Sequence, residues 1–138
     1  MNITYKVNHT ISAKQFIDIL NRSGLGTRRP VDDPTCIQGM LDNCPLLITA
    51  WQGDTLAGVA RSVTDFHYAC YLSDLAVDKA LQGSGIGKQL QSLTQQQLGK
   101  KCKLILIAAP DANDYYPHVG FTNNPRCWVL EPEQSISD

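Results

Sequence analysis

The pattern of polar and apolar positions predicts a strand and then a helix at the start of the chain. Polar and apolar residues alternate over residues 3–8, which predicts a half-buried strand. Ser12 follows, with Gln15 three positions later, and this pair is typical of a capping box at a helix start. An apolar stripe at helical spacing continues to Gly24, where we expect the helix to end.

A second amphipathic helix is predicted after a short loop. Residues 25–31 contain two glycines, a proline and two arginines, which is typical of a loop. Asp33 then supplies a helix cap and Pro34 suits the first helical position. The pair Cys44-Pro45 ends this helix.

Three strand-like runs follow, over residues 46–51, 55–63 and 67–77. The turn at residues 52–54 is short and polar, which favours an antiparallel hairpin that continues as a meander.

The last third of the chain predicts a helix over residues 85–98 and a strand over residues 104–109. That strand is continuously apolar, so we expect it to be buried on both faces. A short helix around residues 112–116 and a final strand over residues 127–130 complete the order β-α-α-β-β-β-α-β-α-β. This is an α+β fold with a mixed, mostly antiparallel central sheet and helices on both faces.

Length and composition support one domain over residues 1–138. The hydrophobic fraction of 43% is sufficient for a single core, and the sequence contains no internal repeat or linker. No run approaches the ~20 apolar residues that a membrane helix needs. Residues 1–6 lack the pattern of a signal peptide, so we expect a cytoplasmic protein without membrane contact.

Charge and cysteine content exclude several classes of partner. The net charge is −1, and the only basic clusters are 28–29 and 100–101, which argues against nucleic-acid binding. The five cysteines are scattered and never form a C-x-x-C pair, so we predict neither a metal site nor a disulfide framework. Buried thiols are the simpler interpretation, and a catalytic thiol is the alternative.

A glycine-rich segment lies between the strand predicted over residues 67–77 and the helix predicted over residues 85–98. Glycines allow a close backbone approach, and the free amides of a helix start bind anions such as phosphate. The P-loop pattern fails, because Gln82 stands where its first glycine belongs and Gln89 follows Lys88. The dinucleotide pattern fails because Lys88 and Leu90 occupy the third glycine position in its two possible registers. A magnesium-dependent nucleotide switch is therefore not expected.

Two motifs resemble the GNAT acetyltransferase family. The segment Gln82-Gly83-Ser84-Gly85-Ile86-Gly87 fits the family's Q-x-x-G-x-G loop for acyl-CoA, and residues 112–121 resemble its A-x-x-F-Y-x-x-x-G-F segment. Residues 58–61 and 72–77 also resemble the family, and the order of elements matches over essentially the whole chain. Within the family, residues 61–66 and 71–77 look like a subgroup of small bacterial members of undefined substrate.

The resemblance implies acetyl-CoA as cosubstrate and an acetyl transfer to an amine. The backbone of Leu75, Ala76 and Val77 would pair with the pantetheine arm as an added strand would. Gln82 would brace the loop or contact the pyrophosphate. The pyrophosphate would lie on the backbone amides of Gly83, Ser84, Gly85, Ile86, Gly87 and Lys88. The charge of Lys88 would help there, unless Lys88 is an ordinary solvated helix lysine.

The resemblance also implies roles in the chemical step. The amine attacks the thioester directly, with both substrates bound. A backbone N–H of Val77 or Leu75 would stabilise the oxyanion. Tyr116 matches the family's tyrosine that protonates the departing CoA thiolate, with core packing as the alternative, and Tyr115 matches a packing aromatic.

The general base is left open by the sequence. The glutamate that many family members carry on a central strand is absent, and Ala109 stands where many have asparagine. Asp74 is the first candidate, because it directly precedes the segment that pairs with the cosubstrate. Asp65, His67 or a chain of waters are the alternatives.

The acceptor and the oligomeric state are predicted only in outline. Arg28 and Arg29 would bind an acceptor that carries a carboxylate or phosphate, whereas Asp32 and Asp33 would suit a polyamine. A GNAT-fold module that binds CoA without turnover is the rival to an enzyme. A homodimer is expected through the apolar strand at residues 127–130.

Overall fold

The computed structural model describes residues 2–137 and divides the chain into two compact units. The larger unit reaches Ile107 and the smaller one begins at Ala108. Each is described by itself. That residues 1–138 form one domain therefore stays a prediction. In the part of the chain that is described, no helix is long and apolar enough to cross a membrane.

A five-stranded sheet forms the larger unit, with the strands in sequence order. Neighbouring strands from β1 to β4 are antiparallel, and β4 pairs with β5 in parallel. The strands are β1 Thr4–Val7, β2 Leu46–Gln52, β3 Thr55–Thr64, β4 Ala69–Val77 and β5 Lys103–Ile105.

Three helices begin and end close to their sequence signals. They are α1 Ala13–Ser23, α2 Pro34–Asp42 and α3 Ile86–Gln96. The capping box of Ser12 and Gln15 is formed, and Gly24 ends α1 with the left-handed backbone that glycine tolerates. Asp33 caps α2 by accepting from the Cys36 backbone N–H.

The two faces of the sheet are covered by different helices. Alternate residues of β2 and β3 point to opposite faces, so that Leu47 and Val59 pack with α1 and α2 while Ile48 and Ala60 pack with α3. The predicted α+β class, the mostly antiparallel sheet and the helices on both faces are thus confirmed.

The predicted strand over residues 104–109 is shorter and more exposed than expected. It pairs with β4 only through β5, Lys103–Ile105, and Ile105 and Ile107 are 42% and 53% exposed. The prediction of burial on both faces is wrong, because β5 is the edge strand of the sheet and has a neighbour on one side only.

The predicted elements of the smaller unit are also corrected. In place of a helix at residues 112–116 there are two 3₁₀ turns, Pro110–Ala112 and Tyr116–Val119. The predicted span has only five residues, and a helix that short is marginal without packing to stabilise it. Residues 127–130 form no strand, and Trp128 is 90% exposed. This run is short, and no strand of the described residues pairs with it.

Candidate functional site

Strands β4 and β5 separate part-way along their length. Their pairing begins at Ala69 and Lys103 and ends at Tyr71 and Ile105, whereas β4 continues to Val77. From Leu72 onward, no strand of residues 2–137 pairs with β4 on that side. The result is a gap with strand backbone along one wall.

The backbone of Leu75 and Val77 faces this gap. The Asp78 N–H donates to the Ala57 carbonyl oxygen at 3.0 Å, on the side of β3. Because successive residues of a strand direct their backbone groups to alternate sides, Leu75 and Val77 point the other way. This is the geometry that an added strand, or an amide-bearing ligand such as pantetheine, requires.

The glycine-rich segment turns the chain from β4 into α3. Gly83 and Gly85 have φ of 84° and 88°, in the left-handed region that favours glycine. Gly85 is the N-cap of α3 and provides no side-chain acceptor for the helix amides. The first amides of an eleven-residue helix are therefore available to an anion.

Gln82 holds the glycine-rich segment against β4. Its Nε2 donates to the Val77 carbonyl oxygen at 3.0 Å and lies 3.5 Å from the Ser23 carbonyl oxygen. Of the two roles expected for this side chain, these contacts correspond to bracing the loop.

A second support for this segment comes from α1 and was not found in the sequence. Arg22 Nη1 lies 2.6 Å from Asp78 Oδ2, and its Nη2 donates to the Leu56 carbonyl oxygen at 2.6 Å. Asp78 Oδ1 accepts from the Ala80 N–H, and this bond together with Arg22 lowers the pKa of the Asp78 carboxyl. The signal in the sequence is only a basic residue in the last turn of α1.

Asp74 lies in the interior and is paired on both sides. It is 0% exposed, its Oδ1 accepts from Arg29 Nε, and its Oδ2 accepts from Arg61 Nε. A general base needs an oxygen free to receive a proton, and neither oxygen of Asp74 is free in this arrangement. The predicted role of Asp74 as base therefore lacks the geometry it needs.

The two arginines predicted to bind the acceptor differ in exposure and in hydrogen bonding. Arg28 is exposed on the surface. Arg29 is committed to internal contacts, because besides Asp74 it donates to the backbone oxygens of Arg28 and Ser73. Only Arg28 has a guanidinium available to an acceptor.

The alternative base candidates Asp65 and His67 lie in the turn between β3 and β4, at the opposite end of β4 from the glycine-rich segment. Asp65 Oδ1 accepts from the backbone N–H groups of His67, Tyr68 and Ala69. These bonds lower the pKa of Asp65 to about 2. A carboxylate so stabilised is a weak base.

Tyr116 belongs to the smaller unit, where it packs between two aromatic rings. The ring centroids of Tyr115 and Phe121 lie 5.2 and 5.5 Å from that of Tyr116, both in edge-to-face geometry. Burial raises the pKa of the Tyr116 phenol above its usual value, so that the proton is retained at neutral pH.

In residues 2–137 no cluster of three metal-ligating side chains occurs.

A family-level comparison agrees with this geometry. The sequence model of the acetyltransferase (GNAT) domain matches residues 29–126, which include the separated strands, the glycine-rich segment and Tyr116. The chain belongs to the GNAT acetyltransferase family. An uncharacterised N-acetyltransferase of the ycf52-like type from Prochlorococcus marinus is 31% identical over 113 residues, 78% of this GNAT chain. The chain covers 57% of that relative's length.

Solved structures share the fold at lower sequence identity. A protein of unknown function from methicillin-resistant Staphylococcus aureus, described as a probable acetyltransferase, superposes with a TM-score of 0.74 and 19% identity. The match covers 93% of this chain and 98% of that one. An aminoglycoside N-acetyltransferase in complex with CoA gives a TM-score of 0.73 at 15% identity, with coverage of 96% and 95%. At these identities the likeness establishes the GNAT fold.

Proposed function

We propose that this GNAT protein transfers the acetyl group of acetyl-CoA to a primary amine of a small molecule or peptide. The observation that carries the proposal is the open edge of β4 leading directly into the glycine-rich start of α3. An amide-bearing arm fits the first feature and a pyrophosphate fits the second. Acetyl-CoA joins these two groups in one molecule.

The cosubstrate is held mainly by backbone groups in this proposal. Leu75 offers its N–H and C=O groups and Val77 its N–H group to the pantetheine arm in the gap. The amides from Gly83 to Lys88 receive the pyrophosphate, and the exposed ammonium of Lys88 adds positive charge. Gln82 acts on the loop, through its bond to the Val77 carbonyl oxygen.

The chemical step is a direct attack by the amine nitrogen on the thioester carbon. The nitrogen–carbon bond forms, an oxyanion develops, and the nitrogen loses its extra proton to water. The carbon–sulfur bond then breaks to release the CoA thiolate. An N–H of Leu75 or Val77 stabilises the oxyanion in this proposal. The resemblance to the GNAT family supports Tyr116 as the acid that gives its proton to the thiolate. The raised pKa of Tyr116 suits a group that must be protonated before it acts.

Deprotonation of the acceptor falls to water in this proposal. An alkylamine with a pKa of ~10.4 is neutral in fewer than about one molecule in a thousand at pH 7. The three side chains considered as base are unfavourable, because Asp74 is paired twice, Asp65 has a lowered pKa, and His67 shares the distant turn. A water chain, or desolvation of the acceptor itself, then supplies the neutral amine.

The test is an acetyl-CoA turnover screen over amino acids, polyamines, aminoglycosides, amino sugars and peptide N-termini, read as released CoA thiol. Cys36 and Cys127 are exposed and will also react with a thiol reagent, so each rate is corrected with a blank that lacks acceptor. Turnover with at least one amine supports the enzyme. Tight CoA binding without consumption across the panel favours the alternative, a GNAT-fold module that senses CoA.

A further inference from the structure

We infer that Arg29, Arg61 and Asp74 form a clamp that fixes a bulge in β4 and so keeps β4 apart from β5. The inference rests on the proposed function. In it, the three side chains act as positioning residues for the binding of acetyl-CoA. It gives Asp74 a role other than that of a base.

The bulge is visible in the strand register. Arg61 of β3 lies opposite Asp74, but the next residue, Ser62, lies opposite Leu72. Ser73 is therefore an extra residue, and Ser73 and Asp74 together oppose Arg61. A bulge of this kind bends its strand and increases the local twist. It lies just beyond Tyr71, the last residue of β4 that pairs with β5.

The clamp contacts both residues of the bulge from two directions. Arg61 donates to Asp74 Oδ2 and, through Nη2, to Ser73 Oγ at 2.9 Å. Arg29, from the segment between α1 and α2, donates to Asp74 Oδ1 and, through Nη2, to the Ser73 carbonyl oxygen at 2.8 Å. Arg61 Nη1 also lies 3.4 Å from the Met40 carbonyl oxygen of α2. The clamp thus connects the helical layer to the extra residue.

The competing conformation is a β4 that stays paired with β5. Leu106 and Ile107 follow β5 directly and are apolar residues suited to a strand, yet neither is part of β5. If the bulge were lost, β4 beyond Tyr71 could continue the parallel ladder with these residues and close the gap. An interaction specific to the bulge is therefore needed to favour the open form.

Energetics agree with a conformational role for the clamp. Arg61 and Asp74 have side chains only 8% and 0% exposed, and Arg29 is 22% exposed. The free energy lost when such charges leave water offsets much of the free energy gained by pairing them. Proteins in which apolar residues replace a buried ion pair are often as stable. A cluster of this kind contributes less to stability than to the selection of one conformation, here the open gap.

The experiment compares Arg29→Met and Arg29→Lys with a control, Thr49→Val. Thr49 is fully buried on β2 and accepts from Trp51 Nε1 at 2.8 Å, so its loss also removes a buried polar partner, away from the bulge. Two quantities are measured: CoA affinity by calorimetry, and amide exchange of Leu75 and Val77 by NMR without ligand.

For Arg29→Met we expect CoA affinity to fall tenfold or more and exchange at Leu75 and Val77 to slow as the gap closes. Arg29→Lys keeps a charge near Asp74 but loses the second bond to Ser73, so both effects should be intermediate. Thr49→Val should bind CoA as the parent does.

Parental affinity and exchange in Arg29→Met would overturn the inference, as would an equal loss of affinity in Thr49→Val at matched stability. If Arg29→Met does not fold, Arg29→Lys with parental exchange and affinity overturns it. Should the parent itself not bind CoA, the proposed function fails, while the exchange rates still decide whether the clamp holds the gap open.

Discussion

At the scale of single residues, Tyr116 is the side chain for which we propose the most specific chemical role. Tyr116→Phe keeps the ring contacts with Tyr115 and Phe121 but removes the proton. Turnover should fall by ~10² and the KM for acetyl-CoA should change little, because general-acid help is lost while packing remains. Steady-state kinetics on an acceptor from the screen measure both.

Tyr115→Phe is the matched control, since it removes a neighbouring phenol that we assign to packing. Parental turnover of Tyr116→Phe over the whole pH profile would return Tyr116 to a packing role. In the parent, the raised pKa of Tyr116 should keep this acid functional to a higher pH than an ordinary tyrosine.

A substitution at Gly85 tests the proposed pyrophosphate site. A Cβ at Gly85 would meet no atom within 4 Å, so Gly85→Val adds bulk to the open side of the loop and strains its φ of 88°. CoA affinity should fall tenfold or more, about 1.4 kcal/mol, as measured by calorimetry.

Gly53→Val provides the matched control for backbone strain. Gly53 also has a positive φ, 60°, and open space around it, but it lies in the turn between β2 and β3. Both variants should lose comparable stability, and only Gly85→Val should lose affinity. Equal CoA affinity in the two folded variants would remove the loop from the binding site.

Interactions between residues that are close in the chain could be predicted from the sequence. Ser12 and Gln15 are three positions apart and Asp33 caps the helix directly after it, so both caps can be read from spacing. The contacts of Arg22 with Asp78 and of Arg29 with Asp74 join residues far apart in the chain. Nothing in a single sequence indicates which distant charges meet.

At the scale of elements, the turn between β3 and β4 has a pH dependence that can be measured. Asp65 binds three backbone N–H groups, and its pKa of about 2 lies below the ~3.9 of an unfolded aspartate. A lowered pKa stabilises the fold above the unfolded value, and this contribution disappears as the pH falls from about 4 to about 2.

Asp65→Ala should therefore be less stable than the parent at neutral pH, and the difference should shrink over that acidic range. Chemical denaturation at several pH values measures it, and an NMR titration of Asp65 provides the direct check. A difference in stability that does not depend on pH would contradict the assigned role of the carboxylate.

Strand prediction failed at the C-terminal side of the chain for a physical reason. A helix satisfies its own backbone, so capping signals and periodicity are nearly sufficient to place α1 and α2. A strand also needs a partner, and within residues 2–137 only Leu104 and Ile105 of the apolar runs at residues 104–109 and 127–130 pair with another strand. Pairing depends on topology and on contacts between distant residues, which periodicity does not encode.

At the scale of the whole molecule, we again predict a homodimer, now from exposed apolar side chains at residues 128–130 and not from a strand. The run at residues 127–130 is not a strand, yet Trp128, Val129 and Leu130 are 90%, 57% and 51% exposed. Such a cluster favours self-association. Light scattering at micromolar concentration should give twice the monomer mass of 15.2 kDa.

Trp128→Glu should return the protein to a monomer, because it places a charge in the apolar cluster. Tryptophan emission supplies an independent measure, since Trp51 is already buried and only Trp128 can change its environment. A parental mass of 15.2 kDa at all concentrations would refute the dimer.

The open edge of β4 also has a consequence for the life of the protein in a cell. Unpaired strand backbone is a template on which strands of other chains can add, and such growth leads to aggregates. A ligand that occupies the gap would cover this template, and mass action would favour the folded, covered form. If acetyl-CoA is that ligand, as we propose, its abundance would set how long each molecule escapes aggregation and proteolysis, and a cell short of acetyl-CoA would also lose this protein.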